Sequence, residues 1–352
     1  MTAVHAIVPD GIDDPTRPSG GNTYDRRVCE GLAARGWSVH VHPVAGAWPE
    51  PDAAAHRALA EAVARIPDGG VALLDGLVAS TAPEVLVPHG ARLRLVTLLH
   101  MPLGQGAAAE EVRERERAVL AASAAVVTTS CWGRGALLDL YGLQPDRVHV
   151  AVPGVDAAEP APGTPTAGAL LCVAAVTPGK GHDVLLDTLA AMAELQWRCR
   201  CVGSLDRDPA FAERLRLRAA RDGLGERMSF PGPATGTELD RSYAGADLLV
   251  LPSHAETYGM VITEALARGL PVVAADVGGV PEALGEGADG ARPGALVPPG
   301  DPVALGAALR AWLGDAALRR AWRRAAGERR ATLPRWSATA SALAGVLAGA
   351  AR

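Results

Sequence analysis

The sequence predicts an α/β protein of two domains, each built on a doubly wound parallel sheet. Three observations support this fold class. Short apolar runs alternate with segments of helical periodicity along the chain. The 352 residues exceed what one hydrophobic core usually serves. A segment without periodicity and rich in Pro, Ala and Gly, 157–168, interrupts the alternation. We therefore expect one domain at 1–160 and a second at 168–333.

The first half opens with an apolar strand, Ala3 to Val8, and a loop rich in Pro, Asp and Gly, 9–21. A helix from about Thr23 to Arg35 follows, because apolar residues recur there every four positions, and Gly36 ends it. Further buried strands are predicted at Leu73-Leu74, Leu93 to Leu99 and Ala124 to Thr129.

In the second half the alternation restarts after the interruption. Strands are predicted at Leu170–Val176, Arg198–Val202, Met228–Phe230, 247–251 and 271–274. Helices are predicted at His182–Leu195, Pro209–Arg221, Thr237–Ala244, from about Gly259 to Gly269, and at Trp336 to Leu347. The order strand, helix, strand is that of parallel crossover units.

Composition and charge exclude several classes of function. The net charge of −5 gives no basic excess, so we expect no nucleic-acid partner. No apolar run of 18 residues occurs, so no membrane span is expected. The first residues lack a signal-peptide pattern, and the five cysteines are scattered and odd in number, which argues against a disulfide framework. A cytoplasmic enzyme is the expectation.

The most informative segment runs from Ser253 to Glu282. It places Glu256 in a loop after a buried strand and Glu264 inside the helix that follows. The start of that helix offers N–H groups and a positive dipole end, both suited to phosphate. Each glutamate fits best as an acceptor for sugar hydroxyls. Two solvent-facing acids at a helix start are the alternative interpretation.

This segment resembles the donor-binding motif of the family-4 retaining glycosyltransferases. The resemblance implies the GT-B fold, in which two Rossmann-like domains face each other across a cleft. It implies that Glu264 accepts from the ribose of a nucleotide sugar and that Glu256 contacts the transferred sugar. The helix start would add four donor-binding residues, namely Tyr258, Gly259, Met260 and Val261. A C-terminal helix at about 334–350 would pack back on the first domain.

Two glycine-containing loops match the same family. Gly20, Gly21 and Asn22 lie between the first strand and the first helix, where the resemblance implies contact with the donor diphosphate and sugar; a simple tight turn is the alternative. Lys180 lies in the loop Pro178-Gly179-Lys180-Gly181, and the resemblance implies that it grips the diphosphate; a surface lysine in a Gly-rich turn is the alternative.

His100 follows a predicted strand, and the family places a histidine at this strand end, near the transferred sugar. One position departs from the family. Its members usually carry an arginine a few residues before the lysine, where this chain has Ala175, and no arginine occurs between Gly168 and Gln196. This departure puts catalytic power in question.

Two charged patterns favour ordinary structural roles. Asp206-Arg207-Asp208 has the D-x-D spacing of metal-binding glycosyltransferases, but it precedes Pro209 at a helix start, so capping explains it better. The charge run at 110–117, EEVRERER, predicts a solvated helix face rather than a membrane patch, although peripheral membrane contact stays open.

The resemblance therefore implies a retaining hexosyltransferase. It would move a hexose from a nucleotide diphosphate sugar to an acceptor hydroxyl, with His100, Lys180 and Glu256 as catalytic residues and with no metal or other cofactor. The alternative hypothesis is a non-catalytic nucleotide-sugar-binding protein on the same fold. An oxidoreductase is disfavoured because the G-x-G-x-x-G fingerprint is absent from the sequence.

Overall fold

A computed structural model describes residues 3–16, 18–106 and 109–351. The described residues fall into two compact units. The first takes those within Met1–Asp14, Ser19–Gly154 and Pro334–Arg352, and the second takes those within Pro15–Pro18 and Val155–Leu333. Each unit contains one six-stranded sheet. The predicted class, α/β with two doubly wound parallel sheets, is confirmed.

The sheet of the first unit has the order β2-β1-β3-β4-β5-β6, and its paired strands are parallel. Its strands are β1 (Ala3–Pro9), β2 (Ser38–Val44), β3 (Val71–Asp75), β4 (Arg94–Leu99), β5 (Ala125–Thr128) and β6 (Val148–Val150). The chain reverses direction across the sheet between β1 and β3. Ligands of such sheets bind beyond the carboxyl ends of the strands at this reversal.

Helices of the first unit follow its strands in turn. They are α1 (Gly20–Ala34), α2 (Ala53–Ala64), α3 (Gly76–Ala79), α4 (Pro83–Leu86), α5 (Glu110–Ala122), α6 (Cys131–Tyr141) and the C-terminal α14 (Trp336–Ala350), with 3₁₀ turns at Val87–Ala91 and Pro145–Arg147. The central strands β3, β4 and β5 are buried almost throughout, as expected for a parallel sheet covered on both faces.

The sheet of the second unit has the order β12-β11-β10-β7-β8-β9, again parallel. Its strands are β7 (Ala169–Val173), β8 (Arg198–Val202), β9 (Met228–Gly232), β10 (Leu248–Leu251), β11 (Val272–Ala275) and β12 (Gly294–Val297). Its helices are α7 (His182–Ala190), α8 (Pro209–Arg221), α9 (Gly236–Ala244), α10 (Met260–Ala267), α11 (Val280–Leu284), α12 (Pro302–Gly314) and α13 (Ala316–Thr332), with a 3₁₀ turn at Pro178–Lys180. Here the reversal lies between β7 and β10.

Helix α7 ends earlier than the sequence predicts, at Ala190 rather than at Leu195. The reason lies in two side chains beyond the helix, one nearby and one distant in sequence. The indole of Trp197 donates to the carbonyl of Met192 at 2.8 Å, and the guanidinium of Arg227 donates to the carbonyl of Ala193 at 2.6 Å. These donors satisfy the backbone carbonyls without a continued helix.

The segment 157–168 has no helix or strand, but it is bonded to the second unit. The buried carboxylate of Asp247 accepts from the backbone N–H of Thr164 at 2.7 Å and from that of Ala169 at 2.9 Å. Arg323 completes the group with an ion pair to Asp247 at 2.9 Å. The segment 157–168 is thus part of the second unit and is held to the rest of that unit by hydrogen bonds.

Candidate functional site

In the second unit the lysine loop lies next to the end of β10. Gly181 adopts a positive φ of 68°, and a Cβ built on it would lie 2.1 Å from the carbonyl oxygen of Pro252. The backbone N–H of His254 donates to the carbonyl of Gly179 at 2.9 Å. Only glycine allows this approach, which places the loop after β7 against the loop after β10.

This approach brings Lys180 to Glu256. The ammonium Nζ of Lys180 lies 2.7 Å from Oε1 of Glu256, and the hydroxyl of the buried Ser253 donates to the same oxygen at 2.9 Å. The Lys180 side chain remains 32% exposed, whereas that of Glu256 is 14% exposed. A half-covered ion pair with one accessible cation is suited to receive an anionic ligand.

Lys180 is also the single lysine of the chain, against thirty-three arginines. The sequence therefore sets Lys180 apart by composition as well as by its motif. Since arginine serves at the other cationic positions, lysine at 180 indicates a need for a compact point charge on a flexible stem.

Helix α10 begins as the sequence predicts. Gly259 is its N-cap with a φ of 91°, and the first helical residues are Met260 and Val261. The backbone N–H of Ile262 donates to the carbonyl of Gly259 at 2.9 Å. The N–H groups at the very start of a helix have no acceptor four residues earlier in the helix, which suits them to an anion. The backbone N–H of Gly279 donates to the carbonyl of Glu256 at 3.2 Å, which ties the closing glycine pair to the Glu256 loop.

Glu264 lies on α10 beyond its first turn, partly buried, and its Oε2 accepts from the hydroxyl of Tyr243 at 2.7 Å. The guanidinium of Arg268 lies 4.5 Å from the centre of the Tyr243 ring. Burial raises the pKa of Glu264, although the Tyr243 hydrogen bond and Arg268 act in the opposite direction. Tyr243 was missed from the sequence because it belongs to α9, which carries no local signal for this contact.

In the first unit, Gly20, Gly21 and Asn22 form the first turn of α1, and the expected helix start at Thr23 is wrong. Ser19 is the N-cap, because its hydroxyl accepts from the backbone N–H of Asn22 at 3.0 Å. The Ser19 cap allows Gly20 and Gly21 to be helical despite the low helix propensity of glycine. A Cβ built on Gly21 would lie 3.1 Å from Cδ2 of His100, so the histidine ring packs against this turn.

His100 directly follows β4, at the strand end where the sequence places it. Its Nε2 lies 2.7 Å from Oδ1 of Asp25 and 3.6 Å from Oδ2 of Asp75. Burial disfavours the imidazolium, but the charge and hydrogen bond of Asp25 and the charge of Asp75 outweigh burial and raise the pKa of His100 to about 8. Burial, followed by the charge of Asp25, raises the pKa of Asp75 to about 8 as well.

Sequence reasoning missed both of these aspartates. Asp75 ends a buried apolar strand, so the carboxyl-end rule for parallel sheets could have found it. Asp25 is a buried position on α1, and nothing in the local pattern distinguishes it from a solvent-facing helix acid.

Most of the charged residues in the run on α5 are exposed, as the predicted solvated face requires, but Glu116 is buried. Glu116 is 0% exposed and accepts from the backbone N–H groups of Leu103 at 3.0 Å and Gly104 at 2.9 Å. The hydroxyls of Ser80 and Tyr141 also donate to it. Glu116 thereby anchors the loop that follows His100.

The D-x-D pattern has the structural role predicted for it at Asp208, whose Oδ1 accepts from the backbone N–H of Phe211 as the N-cap of α8. Among the described residues, side chains with the spacing of a metal site occur only at Asp25, Asp75 and His100, whose ligand atoms lie within 4.8 Å of one another. In the described part of the chain we find no helix with the length and apolar character that crossing a bilayer requires.

Comparison with known proteins places these motifs in a family context. The model of the family described as "Glycosyl transferases group 1" matches residues 162–329. A D-inositol 3-phosphate glycosyltransferase of Catenulispora acidiphila is 34% identical over 265 residues, which are 69% of this chain and 62% of the relative. The same-named protein of Kineococcus radiotolerans is 36% identical over 250 residues, or 64% and 57% of the two chains. The chain thus spans about three-fifths of these relatives.

Solved structures show a similar fold. Sucrose-phosphate synthase from Thermosynechococcus elongatus superposes with a TM-score of 0.79 at 23% identity, over 99% of both chains. HepE of Anabaena in complex with UDP-glucose superposes with a TM-score of 0.74 at 19% identity, over 99% of this chain and 100% of HepE. At these identities the likeness establishes the fold alone.

Proposed function

Because the chain belongs to the group 1 glycosyltransferases, the family whose model matches its residues 162–329, we propose that it transfers a hexose from a nucleotide diphosphate sugar to an acceptor hydroxyl, with retention at the anomeric carbon. The family match confirms the resemblance to family-4 glycosyltransferases. The likeness to solved structures confirms two Rossmann-like domains of the GT-B type.

The observation that carries the proposal is the contact between Lys180 and Glu256. The two residues lie 76 positions apart, in two motifs that the family resemblance singles out independently, and the fold joins them at 2.7 Å. The start of α10 follows Glu256 by a few residues. A cation, an orienting carboxylate and a helix N-terminus in one loop cluster suit a sugar diphosphate.

The proposed chemistry uses each group at a stated atom. The bond between the anomeric carbon and the diphosphate oxygen breaks, and the acceptor oxygen bonds to that carbon from the same face. The departing oxygen takes the acceptor proton. Lys180 and the α10 N-terminus stabilise the charge that develops on the diphosphate, while Glu256 orients the sugar and Glu264 accepts from ribose hydroxyls. His100 would contact the transferred sugar.

The acceptor class is suggested only by the relatives. Their names specify D-inositol 3-phosphate, a polyol phosphate. We include it among the acceptors to be assayed, together with simple sugars. The loops of the first unit would select among them.

The single lysine makes a direct test feasible. An amine-reactive reagent can label Lys180 and the N-terminal amine, and mass spectrometry quantifies the two separately. We expect UDP, GDP or ADP, or one of their sugars, to slow labelling of Lys180 at least about five-fold, with the N-terminal amine as internal control. A nucleotide-independent labelling rate, together with no donor hydrolysis in the presence of any of these sugars, contradicts the proposal.

The second candidate function, nucleotide-sugar binding without turnover, is favoured by one observation. Ala175 occupies the position of the family arginine, so the leaving diphosphate has one cation fewer. Protection of Lys180 from labelling, combined with no transfer to any acceptor tested, would favour this alternative. If turnover fails because this arginine is absent, Ala175→Arg should raise the rate of donor hydrolysis.

A further inference from the structure

Three elements of the first unit bring two acids and one imidazole together. Asp25 lies on α1, Asp75 ends β3, and His100 follows β4. Asp25 is 3% exposed and Asp75 5% exposed, while the His100 side chain is 20% exposed. The two aspartates are therefore buried, and His100 is the member of the cluster that solvent or a ligand can reach.

The two carboxyl groups of this cluster differ in their hydrogen-bond partners. Oδ1 of Asp75 accepts from the backbone N–H groups of Leu77 at 2.8 Å and Val78 at 3.2 Å. Oδ1 of Asp25 accepts from His100. Oδ2 of Asp25 is buried and has no hydrogen-bond donor among the described residues. A buried carboxylate oxygen beside a second carboxyl group gains a donor when that second group holds a proton.

We propose that Asp25 and Asp75 are positioning residues that hold His100 through Nε2 as an imidazolium, in which the other ring nitrogen, Nδ1, donates to an oxygen of the bound sugar. This inference rests on the proposed glycosyl transfer, in which His100 contacts the transferred sugar. Asp25 supplies the ionised acceptor. Asp75 keeps its proton up to about pH 8, and its hydroxyl donates to the open oxygen of Asp25. The charge of Asp75 therefore adds least to the raised pKa of His100.

The surroundings of His100 support this distribution of charge. The ring of Tyr24 meets the imidazole edge-on at 5.2 Å, and burial raises the pKa of Tyr24 above its usual range. Cys29, one turn further along α1, has its pKa raised to about 12 by burial and by the charges of Asp25 and Glu30. Tyr24, which meets the imidazole, and Cys29, which lies near Asp25, are both neutral near pH 7, so Asp25 supplies the negative charge beside the imidazole.

Packing against Gly21 restricts the orientation of the His100 ring. With a Cβ on Gly21 falling 3.1 Å from Cδ2 of His100, the imidazole has little freedom on that side. Nε2 is held by Asp25, and the ring also meets Tyr24. A donor with a fixed direction loses little entropy when it engages a sugar oxygen.

The proposal predicts unequal effects for the two acids. Asn in place of Asp25 removes the ionised acceptor and leaves His100 desolvated, so the pKa of His100 should fall from about 8 to below 6.5. Asn in place of Asp75 resembles the neutral acid, so the pKa of His100 should change by only a few tenths. A purely structural pair of acids gives no reason for this asymmetry.

The experiment is an NMR titration of protein labelled with ¹³C and ¹⁵N at its nine histidines. His100→Gln assigns the signal by its loss. Asp68→Asn, at an exposed aspartate of the same unit that pairs with Arg92, is the matched control and should leave the titration of His100 unchanged. Circular dichroism verifies that each variant folds. If Asp25→Asn does not fold, the pKa of His100 in the wild type and in Asp75→Asn still tests the proposal.

The expected result is a wild-type pKa for His100 near 8, lost in Asp25→Asn. A second readout is the pH profile of hydrolysis of whichever sugar protects Lys180: it should fall above about pH 8 in the wild type and already above about pH 6.5 in Asp25→Asn, because the donating imidazolium loses its proton there. A wild-type pKa below 6.5 overturns the proposal, and so does an equal fall in both variants. Stoichiometric zinc or manganese in the purified protein, with His100 as a ligand, also overturns it. The titration needs no turnover, so it separates this proposal from the failure of the proposed function.

Discussion

At the residue scale, the chemistry of Glu264 depends on Tyr243, which lies on a different helix. The tyrosine hydroxyl occupies one carboxyl oxygen of Glu264, and Arg268 covers the tyrosine ring. The carboxylate is thus held in one direction, and in the proposed donor complex its other oxygen would accept from a ribose hydroxyl. A fixed direction of the Glu264 carboxylate would matter most if this one group accepts hydrogen bonds from two adjacent ribose hydroxyls.

We expect Tyr243→Phe to weaken nucleotide-sugar affinity by about ten-fold and to lower the free energy of unfolding by ~1 to 2 kcal/mol, because Glu264 loses a buried donor. Isothermal calorimetry and urea denaturation measure the two effects. Glu264→Gln is the comparison, since its amide oxygen still accepts from Tyr243 while the charge is gone. If Tyr243→Phe binds like the wild type, the orienting role assigned to Tyr243 is wrong.

At the scale of the element, the loop after β7 depends on one left-handed glycine. Gly181 both ends the 3₁₀ turn that carries Lys180 and begins α7. Its close approach to the Pro252 carbonyl joins this loop to the loop of Glu256. The distance between Lys180 and Glu256 is therefore a property of the backbone at 181 as much as of the two side chains.

Gly181→Ala should destabilise the second unit by about 2 kcal/mol or more, because the new Cβ meets backbone and because φ is unfavourable for alanine. Gly179→Ala, two residues earlier, is the matched control, since a Cβ at that position would have no atom within 4 Å and its φ is ordinary. Hydrogen exchange of peptides from β7 to α7 measures the effect. Equal protection in both variants would contradict this account.

At the scale of the whole molecule, the chain returns to its first unit for its last helix. Residues of Pro334–Arg352 belong with the first unit, and α14 packs on α1. The contact is close: a Cβ on Gly31 would lie 2.5 Å from Cβ of Ala340, and the hydroxyl of Thr339 donates to the carbonyl of Val152 at 2.8 Å. The first unit therefore needs both ends of the chain to complete its core.

Two glycine substitutions test this closure. Gly31→Ala should destabilise the first unit by about 1 to 3 kcal/mol through overpacking against Ala340, despite the better helix propensity of alanine. Gly345→Ala, on α14 with nothing within 4 Å, should stabilise it by up to ~1 kcal/mol. Hydrogen exchange of α14 peptides reports both; a stabilising Gly31→Ala would show that the two helices pack more loosely.

Features set by neighbouring residues were predictable from sequence. Helix α8 has the predicted bounds because Asp208 caps it and Pro209 occupies its first position. Strand β8 also matches, and its two cysteines are buried on the same face as expected. The start of α1 differs from the prediction, because a serine cap competes with the helix-breaking tendency of the glycines.

The sequence by itself determined the alternation of elements, the parallel sheets and the motifs that mark the family, because periodicity and capping act over a few residues. Only the tertiary structure decided which polar and charged groups meet: Lys180 with Glu256, Tyr243 with Glu264, and the two aspartates with His100. Such contacts join strand ends and helices far apart along the chain. The energy of a buried charge depends on its partners in space, and local pattern carries no record of them.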